Sequence, residues 1–471
     1  MTSGPAELFE DHLSFPRGRG RAVDGGFDGA AGGAACGDLV RITLRVEGDR
    51  VADAGFEASG CGAAIAAGSA AVELALGRPV LEVARVGPAA IAAELGGLSP
   101  GKLHAADLAA DALHMALGKA VAATAALPPS ARILVAMSGG VDSAVAALLC
   151  ARAGDEVVAV TLELWRDADN DSERSCCSAS AVRHARSVAH SLGLPHLTLD
   201  LRDEFRSGVV EPWLADHAAG LTPNPCIRCN GSVRLDAMLD LAGRLGASAL
   251  ATGHYARVGE DGLLRPAADD AKDQTYMLAG LAPASVARLR FPLGELTKPE
   301  VRALAAEAGL AVARKPDSQD LCFLAGTGKE AFLAKHGGVR ERPGDIVDRR
   351  GRVLGRHRGH HGYTVGQRRG IRVGGAGDPL YVLATDARTN TVTVGPREEL
   401  ATTRVPLRAI TLHRPEDTVV QVKLRYRSKP LRCRLRADEL HLTDPVDGAA
   451  PGQTAVFLAT DGAIVGTATI A

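Results

Sequence analysis

The stretch Ser138-Gly139-Gly140-Val141-Asp142-Ser143 restricts what this chain can fold into more than any other. A short apolar run, Ile133–Met137, precedes it, and a helical pattern, Ser143–Arg152, follows. Two adjacent glycines between a buried strand and a helix let the backbone approach an oxyanion closely. Serine hydroxyls and the helix's free N–H groups add donors. No Lys-Ser/Thr pair stands after a four-residue gap, so this is not a Walker A loop. Downstream, strand Val157–Leu164, helix 180–192, strand Leu197–Leu201, helix 231–245 and strand Ala249–Thr252 alternate. That alternation predicts a parallel sheet with helices on both faces, and ligands at the carboxyl ends of its strands.

The chain has 471 residues, more than one core supports. We read a multi-domain protein in four segments. Residues 1–126 form an N-terminal α+β scaffold-like domain, with a strand from Leu39 to Val46, a Gly-rich turn around Cys61, and helices near 63–76 and 105–123. Leu127-Pro128-Pro129-Ser130 breaks the last helix and reads as a linker. Residues 132–335 are the central α/β parallel-sheet domain. Residues 340–400 and 401–471 read as small β domains, including a β-barrel, with strands Asp345–Val347, Pro379–Ala384, Thr391–Val394, Gln421–Arg427, Arg432–Leu435, Thr454–Leu458 and Ala463–Ala468. With aromatics at 3%, the core must be built mainly from Ala, Val and Leu.

Net charge is −1, so nucleic-acid affinity requires a local basic face. Between Arg340 and Arg372 ten arginines stand against Glu341, Asp345 and Asp348, and Lys423–Arg436 adds a second positive stretch. Phosphate contact is the expected use of both. The longest apolar runs, such as Ala120–Leu127, fall short of the ~20 residues of a membrane span. Glu7, Glu10 and Asp11 near the start do not suit a signal peptide, so a cytoplasmic protein without a membrane partner is expected. Nine cysteines, an odd count, then read as reactive or metal-binding rather than as a disulfide framework.

The glycine loop resembles the PP-loop of ATP pyrophosphatases, which adenylate a carbonyl oxygen. Two cysteine segments narrow the choice within that group. Thr222-Pro223-Asn224-Pro225-Cys226-Ile227-Arg228-Cys229-Asn230 stands before a helix, where a thiolate beside Arg228 is favoured. Lys315-Pro316-Asp317-Ser318-Gln319-Asp320-Leu321-Cys322-Phe323 carries another thiol. With Ala251-Thr252-Gly253-His254-Tyr255, Lys272-Asp273-Gln274, Tyr363–Gly370, Arg425-Tyr426-Arg427 and Pro451-Gly452-Gln453, these make residues 132–471 resemble the bacterial tRNA-specific 2-thiouridylase (MnmA) family.

That resemblance implies an ATP-dependent sulfurtransferase that uses Mg2+ and acts on uridine in tRNA, by family habit at wobble position 34. Cys229 would be the nucleophile and Cys322 the persulfide carrier. Ala136, Met137, Ser138, Gly139, Gly140, Val141, Asp142, Ser143, Leu162 and Gly253 would contact ATP. Asn224, Pro225 and Cys226 would lie at the target base, with His254, Lys272, Asp273, Gln274, Arg425, Tyr426 and Gln453 elsewhere on the tRNA. A sulfur donor, such as a cysteine desulfurase or relay protein, is implied as partner. The family commonly has Asp at position 226. Here Cys226, Cys229 and Cys322 together suit a [4Fe-4S] cluster with one open iron, beside the persulfide route through Cys322 and Cys229. Cys176 and Cys177 are either incidental thiols or, with Cys226 and Cys229, a zinc site. Cys150 and Cys433 read as packing residues.

Residues 8–123 resemble the IscU/NifU iron–sulfur scaffold family through Ala35-Cys36-Gly37-Asp38 and Gly60-Cys61-Gly62. That family's pattern has His-Cys at a third position, where this chain reads His104-Ala105. Cys36, Asp38, Cys61 and His104 remain as metal-binding candidates, for a labile cluster or for a domain kept to dock a desulfurase. Two other functions stand beside thiolation: an iron–sulfur carrier with a regulatory PP-loop half, and a PP-loop amide or amidine synthetase.

Overall fold

The computed structural model describes residues 5–32, 37–165, 179–317, 321–324, 327–339, 341–371, 373 and 379–471. They form two compact units. One combines Met1–Arg202, Ala237–His254 and Arg288–Gln319; the other combines Asp203–Asp236, Tyr255–Ala287 and Asp320–Ala471. Among the described residues no helix is long and apolar enough to cross a membrane.

The first unit begins with an antiparallel meander, Phe27–Gly32, Leu39–Glu47 and Arg50–Ser59. In its middle strand Val40, Ile42, Leu44 and Val46 alternate inward, as a half-buried strand requires. Helices Gly62–Ala75 and Leu103–Thr124 cover that face. Small residues let them come close, with Ala64, Ala67, Ala71, Ala109 and Ala112 fully buried. Gly29 shows how close: a Cβ there would stand 2.1 Å from the Ala112 carbonyl oxygen. Alanine-rich text thus yields a core with few aromatics.

The same unit holds an all-parallel five-stranded sheet. Its order is Leu289–Arg290, Ala249–Thr252, Arg132–Ala136, Glu156–Glu163 and His196–Asp200. The chain starts in the middle strand, winds to one edge, then returns to the other side. The switch point falls beside Arg132–Ala136, where ligands of open α/β sheets gather.

Helix Leu103–Thr124 also lies on the edge strand His196–Asp200. A Cβ at Gly118 would stand 1.7 Å from the Thr198 carbonyl oxygen. The amide of His196 donates to the Ala84 carbonyl at 2.9 Å, so N-terminal backbone satisfies part of the sheet edge. Arg183 and Arg186 donate to Asp111 at 2.5 and 2.7 Å. Between these contacts sit His114, His190 and His196, with ring centroids 5.7 to 6.4 Å apart. Burial pushes all three imidazoles below their ordinary pKa, His114 and His196 well below.

The second unit contains a four-stranded sheet ordered Val353–His357, Gly344–Val347, Thr391–Gly395 and Tyr381–Asp386, around Ile346, Val382, Val392 and Val394. A closed barrel follows, ordered Ala401–Leu412, Glu439–Asp447, Leu431–Arg436, Gln421–Lys423, Thr454–Leu458 and Ile464–Ile470. Phe457, Val422, Val465 and Leu440 fill it.

Three sequence expectations need correction here. Strand Gln421–Arg427 ends at Lys423, and Leu424–Arg427 turns instead. Helix 231–245 opens with a π-helical segment, Asn230–Arg234, before Leu235–Arg244. Strands Val353–His357, Ala401–Leu412 and Glu439–Asp447 went unread. Pro406 and Pro445, and Gly355 in the shortest of the three, interrupt the strand pattern.

Candidate active site

Strand Arg132–Ala136 delivers its carboxyl end into the turn Met137–Gly140, and helix Val141–Arg152 starts there. Gly139 has φ +69°, in the left-handed region that glycine tolerates. The Met137 amide donates to the Val160 carbonyl at 2.8 Å, which extends the sheet to the loop's first residue. The Ser143 hydroxyl closes the loop on itself. It accepts from the Ser138 amide at 3.1 Å and donates to the Gly140 carbonyl at 3.0 Å. The first-turn amides of the helix have no intrahelical partners and carry the positive end of its dipole.

Ala136 pairs with Thr252, so Gly253 leaves its strand beside the loop. A Cβ on Gly253 would stand 2.7 Å from the Asp142 carbonyl carbon and the Ser143 amide nitrogen. The His254 Nδ1 and Thr252 hydroxyl lie 2.8 Å apart. Leu162 is buried in the neighbouring strand.

Asp142 does not face open solvent alone. Lys298 Nζ reaches its two carboxylate oxygens at 2.7 and 2.8 Å and Asp317 at 2.9 Å. Arg302 also reaches Asp317, at 2.9 Å. Lys298 is the first residue of a helix closed by a capping box between Thr297 and Glu300. Sequence reading missed this network. The capping box was legible as Thr-x-x-Glu, but nothing local joins Lys298 to a carboxylate 156 residues away.

In the second unit Asn224 caps the short helix Pro225–Cys229, its Oδ1 accepting from the Cys226 amide at 3.0 Å. Pro225 takes the helix's first position, where its missing N–H costs nothing. Cys226 is half-buried, Cys229 is buried, and the π-helical segment begins at the next residue. Such segments recur at functional sites because they re-aim side chains within a helix. Cys322 is half-buried too. Its neighbour Phe323 meets Phe205, Trp213 and Phe332 edge-on, with centroids 5.8, 5.3 and 5.2 Å away. The stretch 203–218 that supplies Phe205 and Trp213 also packs on the Cys226–Cys229 segment, with Gly208 beside Val233. Both thiol segments therefore rest on one helical support. Cys150 and Cys433 are buried among apolar groups, which pushes their thiols up to about 11 and about 12. Packing is their role.

Arg425 and Gln453 line one open cavity of about 420 Å³ with Thr222, Thr364, Val365, Gly366, Gln367 and Ala450. Tyr426 lies in the same turn as Arg425, its ring 6.1 Å from that of Tyr276. Asp273 is largely internal. It accepts from the Thr275 hydroxyl at 2.9 Å and pairs with Lys423 at 3.3 Å. The Gln274 Oε1 accepts from the Tyr255 amide at 3.0 Å, and the Lys272 amide donates to the Asp269 carbonyl. Several arginines of the basic stretch have acidic neighbours: Arg349 with Glu399, Arg352 with Asp348, Arg356 with Asp345 and Arg358 with Glu341. Arg350, Arg368 and Arg369 are exposed as well.

In the N-terminal part, Asp38, Cys61 and His104 converge, their ligand atoms within 4.8 Å of one another. Asp38 accepts from the Cys61 amide at 2.8 Å and the Cys61 thiol at 3.3 Å, and its Oδ2 lies 3.0 Å from His104 Nε2. Those bonds hold its carboxyl below the usual range, the Cys61 amide contributing most. Ala105 is fully buried and brings no ligand. Cys36, Cys176 and Cys177 lie outside the described residues. A second group, His12, Glu73 and Glu94, was not singled out from sequence. Arg17 already neutralises Glu73 at 3.0 Å, which disfavours a cation there.

Four family descriptions match the chain in order. They are the NifU-like N terminal domain over residues 7–125, the tRNA methyl transferase HUP domain over 131–326, the tRNA methyl transferase PRC-barrel domain over 330–396 and the Aminomethyltransferase beta-barrel domain over 404–470. The chain is 47% identical over 479 residues to the bifunctional protein NifU/MnmA of Rubrobacter xylanophilus, covering 98% of this chain and 97% of that one. It is 46% identical to the tRNA-specific 2-thiouridylase MnmA of Salinispora tropica, over 72% of this chain and 99% of the relative. Against the MnmA of Acidothermus cellulolyticus the figures are 47%, 72% and 97%.

Proposed function

Because this chain belongs to the family of bifunctional NifU/MnmA proteins and tRNA-specific 2-thiouridylases, we propose that it activates a uridine of tRNA with ATP and replaces the C2 oxygen with sulfur. The observation that carries this reading is a PP-loop at the switch point of a parallel sheet, in a chain that also sets Cys226, Cys229 and Cys322 on one helical support. Residues 136–143, Leu162 and Gly253 take the nucleotide. The uridine C2 oxygen attacks the α-phosphorus, and pyrophosphate leaves. A base cannot react inside a stack, so the uridine must be turned out of the anticodon loop. Asn224, Pro225 and Cys226 receive it, while His254, Lys272, Asp273, Gln274, Arg425, Tyr426 and Gln453 hold the rest of the tRNA.

Sulfur then attacks C2, the C–O bond breaks, and AMP leaves. In the persulfide route the terminal sulfur of Cys322 becomes bonded to C2. Cys229 thiolate attacks the Cys322 sulfur, which frees the thiocarbonyl and leaves a Cys229–Cys322 disulfide for a dithiol reductant. The donor set of three thiols also fits a [4Fe-4S] cluster; when bound, it would supply an open iron that carries sulfide. Mg2+ does not fit Asp142 as it stands, since Lys298 already holds both oxygens, so the ion would enter with the nucleotide's phosphates. Asp38, Cys61 and His104 are the proposed NifU-like metal ligands, Cys36 joins them by the sequence pattern alone, and a cysteine desulfurase or sulfur relay is the expected donor to the chain. We place the proposed reaction in the cytoplasm.

Incubation of the protein with tRNA, ATP, a dithiol reductant and either sulfide or a sulfane-sulfur donor tests the reading by nucleoside mass spectrometry. AMP together with 2-thiouridine is expected, and a Cys229→Ser variant should bind ATP yet yield none of the thionucleoside. AMP-free incubations with unmodified tRNA would refute it.

A further inference from the structure

We infer that Lys315 is a phosphate-binding residue of the PP-loop, supplying from a distant turn the ammonium that this loop lacks in its own sequence. The inference rests on the nucleotide reading above and deepens it. No lysine occurs in Ser138–Ser143, although the turn is built for an oxyanion. Lys315 Nζ donates to the Gly139 carbonyl at 3.0 Å, at the loop's left-handed residue. The placement is constructed rather than incidental. Arg302 grips the turn that bears Lys315 through three acceptors: the Ala313 carbonyl at 2.9 Å, the Lys315 carbonyl at 3.2 Å and the Asp317 carboxylate at 2.9 Å. Asp317 is fastened in turn to Lys298, which holds Asp142. The turn is thus tied to the loop at both of its sides.

Charge follows the same logic. Lys298 has two carboxylates within reach and is spent on them. Lys315 is exposed and has only a neutral carbonyl as its described acceptor, a weaker partner than a phosphate oxygen. Burial first, and the Lys315 ammonium second, lower the pKa of His184, whose ring lies 3.5 Å from where a Gly139 Cβ would be. When nucleotide binds, Lys315 exchanges the Gly139 carbonyl for an oxygen of the β- or γ-phosphate. Lys298 stays in place as a positioning residue.

The test compares ATP with AMP, which share everything except the phosphates in question. By calorimetry on the full chain, Lys315→Gln should weaken ATP binding about ten-fold to a hundred-fold, the range of a hydrogen bond to a charged group. AMP affinity should stay within about two-fold, and Lys315→Arg should recover most of the loss. Lys315 is exposed, so an unchanged melting temperature is expected and confirms that the variants fold. Equal losses for ATP and AMP, or ATP binding as tight as wild type, would overturn the inference. Wild-type protein that binds neither nucleotide would instead overturn the nucleotide reading beneath it.

Discussion

Gly253→Ala offers a sharp test of how the loop is held. Two effects oppose each other. Replacing glycine by alanine restricts the unfolded chain, which stabilises by about 0.4–1 kcal/mol where the fold accepts the methyl. Here the methyl would stand 2.7 Å from the Asp142 carbonyl carbon and the Ser143 amide nitrogen, and 2.9 Å from the Asp142 oxygen, where ordinary contact begins at 3.4 Å. All three atoms are backbone in the first turn of the loop helix, so no side chain can rotate aside. Relief requires the helix start to retreat by most of an ångström. Overpacking of this kind costs about 1–3 kcal/mol, which exceeds the entropic gain. The same retreat moves the donors aimed at the phosphates, and a displacement near 1 Å can cost about a hundred-fold in activity. We expect a lower melting temperature and an ATP dissociation constant raised at least ten-fold, read by calorimetry on folded protein. A Gly253→Ala protein with wild-type melting and wild-type ATP affinity would show that the strand end does not position the loop.

Three further outcomes follow from the described contacts. His114, His190 and His196 have folded pKa values below the ordinary 6.5, so the fold refuses protons that the unfolded chain accepts. Their contribution is complete above about pH 6.5 and drains as pH falls; thermal melts should drop between about pH 7 and 5.5, and less steeply in His190→Gln. The affinity for tRNA should fall steeply with added salt, because Arg350, Arg368, Arg369 and Arg425 offer phosphate contacts that release counterions; a flat response speaks against the basic face. After anaerobic reconstitution Cys226→Ser should hold less iron than wild type, and a wild-type count below about 3 irons per chain argues for the persulfide route instead.

The loop was legible because every element of its geometry is local: apolar strand, two glycines, helix. The carboxyl-end placement followed from the same alternation. Asp38, Cys61 and His104 were readable through the resemblance to the scaffold family, although only folding brings His104 across 66 residues to Asp38. Lys298, Arg302 and Lys315 were not legible as a set. Their partners are selected by tertiary packing, and a lysine on a helix ordinarily faces water. Phe323 carries no signal in the sequence beyond standing next to Cys322, yet its ring fixes that segment among Trp213, Phe205 and Phe332. The strand containing Pro406 was missed for a physical reason as well: proline interrupts the ladder pattern, and only barrel closure compensates.

The seating of helix Leu103–Thr124 on the sheet's outer strand has a practical corollary. Excising residues 1–126 would strip the lid from His196–Asp200 and leave the His196 amide without its acceptor, Ala84. A bare outermost strand is a template on which a neighbouring molecule's strand can add. A shortened protein lacking the N-terminal part should therefore self-associate, whatever becomes of its chemistry. In this chain, fusion has turned a joint between two modules into a cover over the sheet's outermost strand.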